Sequence, residues 1–568
     1  MRPVGSRLVA RWIVGAVVAA LFLSLTPLVA DSRSGASNID PALLDEARAN
    51  PDRLFPVIVR GAASSPAQVR ATARIADETE VRVKKAETVL SFGKDGPRRA
   101  LPIVAGASGT LRGRDILALA RLPVVDRIVV DETFTASWHG EDAETEGTQP
   151  AIETVNAPKV WESKGLSGKG IGVAVIDSGV ADHPDLAGRI VARVDLTGEG
   201  SNGDPGGHGT HVAGLIAGDG TASKGAWTGV APQANIVSVR VINATGQARL
   251  STIFAGLQWV LRNRSTYNIR VANLSFGGTA LSGYQNDLLA SAVEMLNFAG
   301  LTVVVSAGNR GAGQSTITTP ATDPFVITVG ADDDHNTPGL RDDSVAKWSS
   351  RGPTAFDGIA KPDLIAPGRK VIGLRAAGST LDTQFADRQV RAKGATVAQY
   401  LTMSGTSVAA PIVAGVAALY LEQNPSATPR EVKRQLTATA RPLAGVPATD
   451  QGAGVVDAFA AVTRSPVAAR FTPYPASAAF AEQVFAKIYG QPIVWRDVSF
   501  HGGVDSRGLK WSDITWDDIT WDSITWEDIC WEAFNWRDIT WDIFAWQDIA
   551  WETSAAPLGG SSGWTLVN

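Results

Sequence analysis

Residues 172–180 read GVAVIDSGV. Val173, Ala174, Val175 and Ile176 form an unbroken apolar run that ends in Asp177, followed by Ser178 and Gly179. A strand that is apolar on both faces belongs inside a sheet covered on both sides, as parallel sheets are. A carboxylate at its end is unfavourable unless something pairs with it. Alone, such an Asp reads as a turn residue or a helix cap. Its meaning depends on what else the chain brings to that end of the sheet.

The same texture continues outward. Apolar segments ANIVSVRVI, RVANLSF, LTVVVSAG and FVITVGA alternate with helical patterns such as STIFAGLQWVLRNR and NDLLASAVEMLNFA. Strands alternating with helices predict an α/β domain with a central parallel sheet between helical layers, over residues 159–463. Two more words sit at element ends. GGHGTHVAGLIAG carries His208 at the head of a small-residue helix, with Gly207 and Gly209 allowing close backbone approach. MSGTSVAAPIVAGVAALYLE carries Ser407 at the head of an apolar helix. Thr406 or Ser407 could serve simply as an N-cap. The free N–H groups and positive dipole of that helix end also suit a developing oxyanion. His211, three residues after His208, has no third metal ligand near it in sequence and reads as a packing residue.

Together these words change the reading. Asp, His and Ser occur in the order Asp…His…Ser, each beside Gly or other small residues. VIDSGV, HGTHVAG, GVAP, VVSAGN, SSRGPT, KPDLIAPG and MSGTSVAAP stand in the order found in the subtilisin-like serine proteases, and the chain resembles that family over about 300 residues. The resemblance implies a three-layer subtilisin-like fold and peptide-bond hydrolysis. It implies that Asp177 orients the imidazole, His208 is the general base and Ser407 the nucleophile. Asn309, in SAGN, would donate to the oxyanion. Ser275, Phe276 and Gly277, in NLSFGG, would pair with the substrate backbone, and Ala307 and Gly308 would line the primary specificity pocket. No acidic residue occurs in those two words, which favours apolar or broad specificity. The chemistry requires no cofactor. Structural calcium occurs in the family, but no ligand set is assigned here. Asp332, Asp333 and Asp334 read as a solvated acidic run.

The N-terminus reads MRPVGSRLVARW, with Arg2, Arg7 and Arg11, then an uncharged apolar run, then TPLVADSRS. This is the pattern of a secretory signal peptide over residues 1–30 and predicts export or delivery to the cell envelope. Residues 31–53 read as a linker, partly helical. Residues 54–136 read as a small βα domain that resembles the family's inhibitory propeptide, with VVDRIVVDETF as the strand lying in the active-site cleft. Residues 137–158 are polar and acidic and read as a processing linker, cut by the chain itself between Ala136 and Pro150. The implied partners are polypeptide substrates and the chain's own propeptide.

After an irregular linker over 464–510, Trp recurs every fifth residue, nine times from Trp511 to Trp551. Five residues advance about 500° around a helix and reverse the face of a strand, so neither alone gathers the rings. Short Ile-Thr-Trp strands with acidic corners could stack as a β-solenoid over 511–555. Glycan or cell-envelope contact is the functional reading of the exposed rings, a self-packed core or oligomer surface the structural one, and a disordered tail a third. Residues 511–553 carry eleven acidic side chains and one basic one, Arg537, which argues against nucleic acid. A Gly/Ser tail, 556–568, follows. The overall net charge is −5, and the single cysteine, Cys530, excludes an intrachain disulfide. The reading from a different class is a catalytically silent envelope-binding or scaffolding protein acting through the Trp repeat.

Overall fold

The computed structural model describes residues 39–61, 99–104, 106–121, 125–135 and 150–467. The expected signal segment, most of the 137–158 and 464–510 linkers, the Trp repeat and the tail lie outside the described residues.

The N-terminal part builds a four-stranded antiparallel sheet from β1 (Leu54–Gly61), β2 (Arg99–Leu101), β3 (Gly106–Arg112) and β4 (Val125–Val130), in the order β2-β3-β1-β4. Helices α1 (Pro41–Ala49) and α2 (Gly113–Leu119) share one apolar core with it, through Leu43, Ala47, Val57, Leu111, Ile116 and Ile128. Asp40 caps α1 by accepting from the N–H groups of Ala42 and Leu43, and Pro41 stands at the first helical position. The small domain therefore begins before Leu54. The reading of 31–53 as linker is corrected: α1 looks polar in sequence because only one narrow face of it is buried.

VVDRIVVDETF also divides differently from the expectation. Val125–Val130 pairs with β1 inside the small domain. Only β5 (Thr133–Thr135) leaves it, pairing antiparallel with β9 (Gln247–Arg249) of the larger domain. Val57, Ile58 and Val59 need partners on both sides, and β4 supplies one of them.

The larger domain has an eight-stranded sheet. Its strands are β6 (Gly172–Asp177), β7 (Ile190–Asp195), β8 (Asn235–Arg240), β10 (Ile269–Leu274), β11 (Thr302–Ser306), β12 (Ile327–Asp333), β13 (Ser344–Val345) and β14 (Leu364–Pro367). They run β13-β12-β11-β10-β6-β8-β7, with β14 also paired to β12, and only the β12–β13 pair is antiparallel. Along β6, Val173 and Val175 enter one core while Ala174 and Ile176 enter the other. The first core is covered by α5 (His208–Ala217), α9 (Thr406–Gln423) and α10 (Pro429–Thr439), the second by α6 (Leu250–Asn263) and α7 (Leu288–Phe298). This is a three-layer α/β fold. Each buried Leu, Ile or Val contributes about 1.5–3 kcal/mol by leaving water, so both faces of the sheet are strongly specified.

Helix α9 is apolar all round and buried from Thr406 to Leu421. Its small residues let it pack closely: a Cβ added at Gly415 would meet Val230 Cβ at 2.6 Å. Helices α3 (Ala151–Thr154) and α4 (Ala157–Lys164), with Val155 between them, also enter the first core through Ala151, Ile152, Val155 and Val160. The larger domain therefore starts near Ala151, ahead of the expected Lys159. The small domain docks on α6 and α7, where its Ile58, Leu101, Ile103 and Val104 share the second core.

Candidate active site

Asp177 ends β6 at the centre of the sheet and is fully buried. Its Oδ1 accepts from the Ser178 N–H at 2.7 Å. Both carboxylate oxygens face His208 Nδ1, at 2.8 and 2.9 Å. Nδ1 is therefore the protonated ring nitrogen, and Nε2 is left as the basic one. Burial pulls the imidazolium down, but the charge and hydrogen bond of Asp177, with a smaller contribution from Asp204, outweigh it. The His208 pKa is raised above its ordinary value.

His208 opens α5 behind Gly207, whose φ is 96°. A Cβ there would meet Ser379 Oγ at 2.3 Å, so the turn that presents the imidazole requires glycine. Asp204, which sequence reading missed, fixes this turn. Its carboxylate accepts from Ser178 Oγ (2.7 Å), Gly207 N (2.7 Å), Thr210 N (2.8 Å) and Thr210 Oγ1 (2.7 Å). Burial pushes its pKa up, and these donors pull it back. The signal was an Asp four residues before the His in DPGGH, a spacing with no local meaning until the loop is folded.

Ser407 is the second residue of α9 and is 2% exposed. A Cβ at Gly405 would lie 2.8 Å from Ser407 Oγ and 3.4 Å from Asn309 Nδ2, so the hydroxyl and the amide nitrogen both flank this glycine. Asn309 Oδ1 accepts from Thr406 N and from Thr406 Oγ1, each at 2.9 Å. These bonds fix which end of the amide is oxygen and which is nitrogen. The first turn of α9 is also tied to β10: Ser275 Oγ donates to the Ser407 carbonyl at 2.8 Å and accepts from Asn273 Nδ2 at 2.9 Å.

Ser275, Phe276 and Gly277 continue β10 beyond Leu274, and Ala307 and Gly308 continue β11 beyond Ser306. The Leu274–Val305 register brings these two extensions side by side. His211 lies apart from this group, with Nε2 at 3.1 Å from the Leu401 carbonyl and 3.3 Å from that of Val371. Burial, and next the nearby His208, push its pKa down to about 3, so it is neutral. Packing is its role.

The acidic run at 332–334 differs from expectation. Asp332 and Asp334 are buried rather than solvated. Burial, then the Asp343 carboxyl beside it, hold Asp332 well above the usual carboxylate range, so it keeps a proton. A strand end tucked under the 335–343 loop removes the water that a polar sequence suggests. No group of three or more His, Cys, Asp or Glu side chains arranged to hold a metal ion occurs among the described residues.

The small domain reaches the site's border. Asp131 accepts from Ser251 N (2.8 Å) and Ser251 Oγ (2.7 Å), capping α6 from outside its own chain segment. Phe134 packs against Gly278, where a Cβ would come 2.4 Å from its ring.

Comparison with known proteins agrees with this architecture. The Subtilase family profile (Peptidase S8) matches residues 168–458. Serine protease AprX of Bacillus subtilis (strain 168) is 44% identical over 293 residues, which are 50% of this chain and 65% of AprX. M-protease of Shouchella clausii (strain KSM-K16) is 36% identical over 341 residues, 59% of this chain and 76% of that protein. Subtilisin Savinase of Lederbergia lenta is 36% identical over 310 residues, 55% of this chain and 97% of its own length. The crystal structure of fervidolysin from Fervidobacterium pennivorans, a keratinolytic enzyme related to subtilisin, superposes with a TM-score of 0.57 at 24% identity, covering 73% of this chain and 62% of fervidolysin. That last likeness concerns the fold. The matched part thus spans somewhat under two thirds of AprX and of fervidolysin. With its sheet, its helices and its ordered Asp, His and Ser words, this chain belongs to the subtilase family.

Proposed function

We propose that the protein is a serine endopeptidase that hydrolyses peptide bonds of polypeptide substrates through Asp177, His208 and Ser407. The observation that carries this reading is the pairing of His208 Nδ1 with both oxygens of Asp177, at 2.8 and 2.9 Å, which leaves Nε2 basic. Ser407 Oγ attacks the scissile carbonyl while His208 Nε2 takes its proton. Asp177 stabilises the imidazolium that forms. The oxyanion receives the Asn309 amide N–H and the Ser407 backbone N–H, at the positive end of α9. His208 then protonates the leaving amine, an acyl-enzyme remains on Ser407, and water activated by His208 releases it.

The substrate backbone adds as a strand beside Ser275–Gly277. The chain is exported by its N-terminal segment, and the 39–135 domain acts as an intramolecular inhibitor. Its seat on α6 and α7, the Asp131 cap and the β5–β9 pairing support that role. Self-cleavage between Ala136 and Pro150 frees the mature enzyme. Labelling of the secreted protein with a fluorophosphonate probe tests the activity. Labelling that disappears in Ser407→Ala is expected, and a processed protein that takes no label would overturn the reading.

A further inference from the structure

The strand extensions that receive the substrate are not separated by an open gap. The segment Thr318–Thr319 is wedged between them. Thr319 exchanges backbone hydrogen bonds with Gly278, at 2.9 and 3.0 Å, and Thr318 N donates to the Ala307 carbonyl at 3.0 Å. The Thr318 side chain fills what remains. A Cβ built at Gly277 would come 2.4 Å from Thr318 Oγ1, and one built at Gly308 would come 2.5 Å from Thr318 Cγ2. Both glycines therefore press directly on this one side chain. Its rotamer is held by the hydrogen bond from Oγ1 to the Ala307 carbonyl, at 3.1 Å, and the residue is 5% exposed.

This position matters because of where a substrate side chain must go. On the peptidase reading, the attacked carbonyl would sit by Ser407 Oγ and Asn309 Nδ2, with its chain along Ser275–Gly277. The side chain of the residue carrying that carbonyl then points between Gly277 and Gly308, where Thr318 stands. Ser350 Oγ narrows the same place from the far side, 2.9 Å from a Cβ at Gly308. An aromatic ring or long aliphatic chain would overlap atoms packed at interior density, which do not yield cheaply.

We propose that Thr318 is the specificity-determining residue that closes the primary pocket, so that the enzyme cuts after small residues such as Ala, Ser and Gly. This rests on the peptidase reading above and narrows the apolar-or-broad specificity that the sequence suggested. Thr318 takes no part in bond making.

The test uses the full chain, expressed and processed, with peptide p-nitroanilides that differ only in Ala, Leu or Phe before the cleaved bond. One methylene in such a pocket is worth about 10- to 200-fold in kcat/KM. The wild type should therefore favour Ala over Phe by at least about 100-fold. Thr318→Gly should raise kcat/KM for Phe at least about 10-fold relative to Ala. Thr318→Ser keeps the hydroxyl bond to Ala307, removes only Cγ2, and should give an intermediate gain for Leu. A wild type that cuts after Phe as readily as after Ala overturns the proposal. So does a ratio unmoved in both variants while fluorophosphonate labelling is intact. Loss of all turnover together with loss of labelling in the wild type would instead bring down the peptidase reading on which the proposal rests.

Discussion

Thr406 donates twice to one oxygen of Asn309, from its backbone N–H and from its hydroxyl, at 2.9 Å each. The same hydroxyl accepts from Gly308 N at 3.2 Å. One threonine thus sets the amide's orientation and ties it to the strand extension beside Ser407.

Removing the amide should reduce kcat with little change in KM. Asn309→Ala is expected to lose about 100- to 1,000-fold in kcat, a range drawn from this same family. Thr406→Val keeps the shape and the backbone bond but removes both hydrogen bonds of the hydroxyl, to Asn309 Oδ1 and from Gly308 N, and should lose about 10- to 100-fold, at about 0.5–1.5 kcal/mol for each bond. Steady-state kinetics on one peptide substrate check both.

The raised pKa of His208 fixes the sign of the acid limb. With His208 as the proposed general base, activity needs the neutral imidazole, so kcat/KM should fall as pH drops through a value above the ordinary histidine pKa of 6.5. Asp204 adds to the field that raises it. Asp204→Asn should therefore move the limb to lower pH while lowering activity overall, because its four accepted hydrogen bonds are disturbed. A pH–rate profile of the two proteins reads this directly.

Asp332 gives a second pH dependence, of stability. Its folded-state pKa lies above the 3.8 of an exposed carboxyl, because burial and the adjacent Asp343 disfavour its charge. Such a group contributes stability fully at pH below about 3.8. The contribution is lost as pH rises, until the raised folded value is passed. Asp332→Asn, neutral at every pH, should flatten the decline in Tm between pH 5 and pH 9. Thermal unfolding across that range measures it.

The Asp131–Ser251 cap crosses from the small domain to α6, and on the proposed inhibitory role of that domain it should govern inhibition. Asp131→Ala removes an acceptor worth about 0.5–2 kcal/mol. The full-length chain should then release activity several-fold faster after processing. The time course of peptidase activity following secretion gives the comparison.

The sequence made the central sheet readable because β6, β8, β10 and β11 are largely apolar on both faces, and β6, β10 and β11 end at or beside Asp or Ser. Asp177, His208, Ser407 and Asn309 each sit in a dense local word, and the structure sets Asp177 against His208 and both Ser407 and Asn309 around Gly405. Thr406 as orienter of Asn309, Asp204 under His208, Asp131 on α6 and Thr318 between two glycines were not readable. Thr406, Asp131 and Thr318 act through contacts that form only when the fold brings separate segments together; Thr406 and Asn309 are 97 residues apart, while Asp204 acts through a turn whose local spacing has no meaning until the loop is folded. The burial of Asp332 was hidden for the same reason, since Asp343 covers it from a loop that reads as solvated. Helix α1 was readable as helical character but not as part of the small domain, because its buried face is only Leu43 and Ala47.

The most direct measurement is the site of covalent capture. The processed protein is reacted with a fluorophosphonate, digested and mapped by mass spectrometry. A single adduct on Ser407, absent after denaturation and in His208→Ala, is the predicted result. An adduct on another residue, or none on an active preparation, would contradict the assignment of Ser407 as nucleophile.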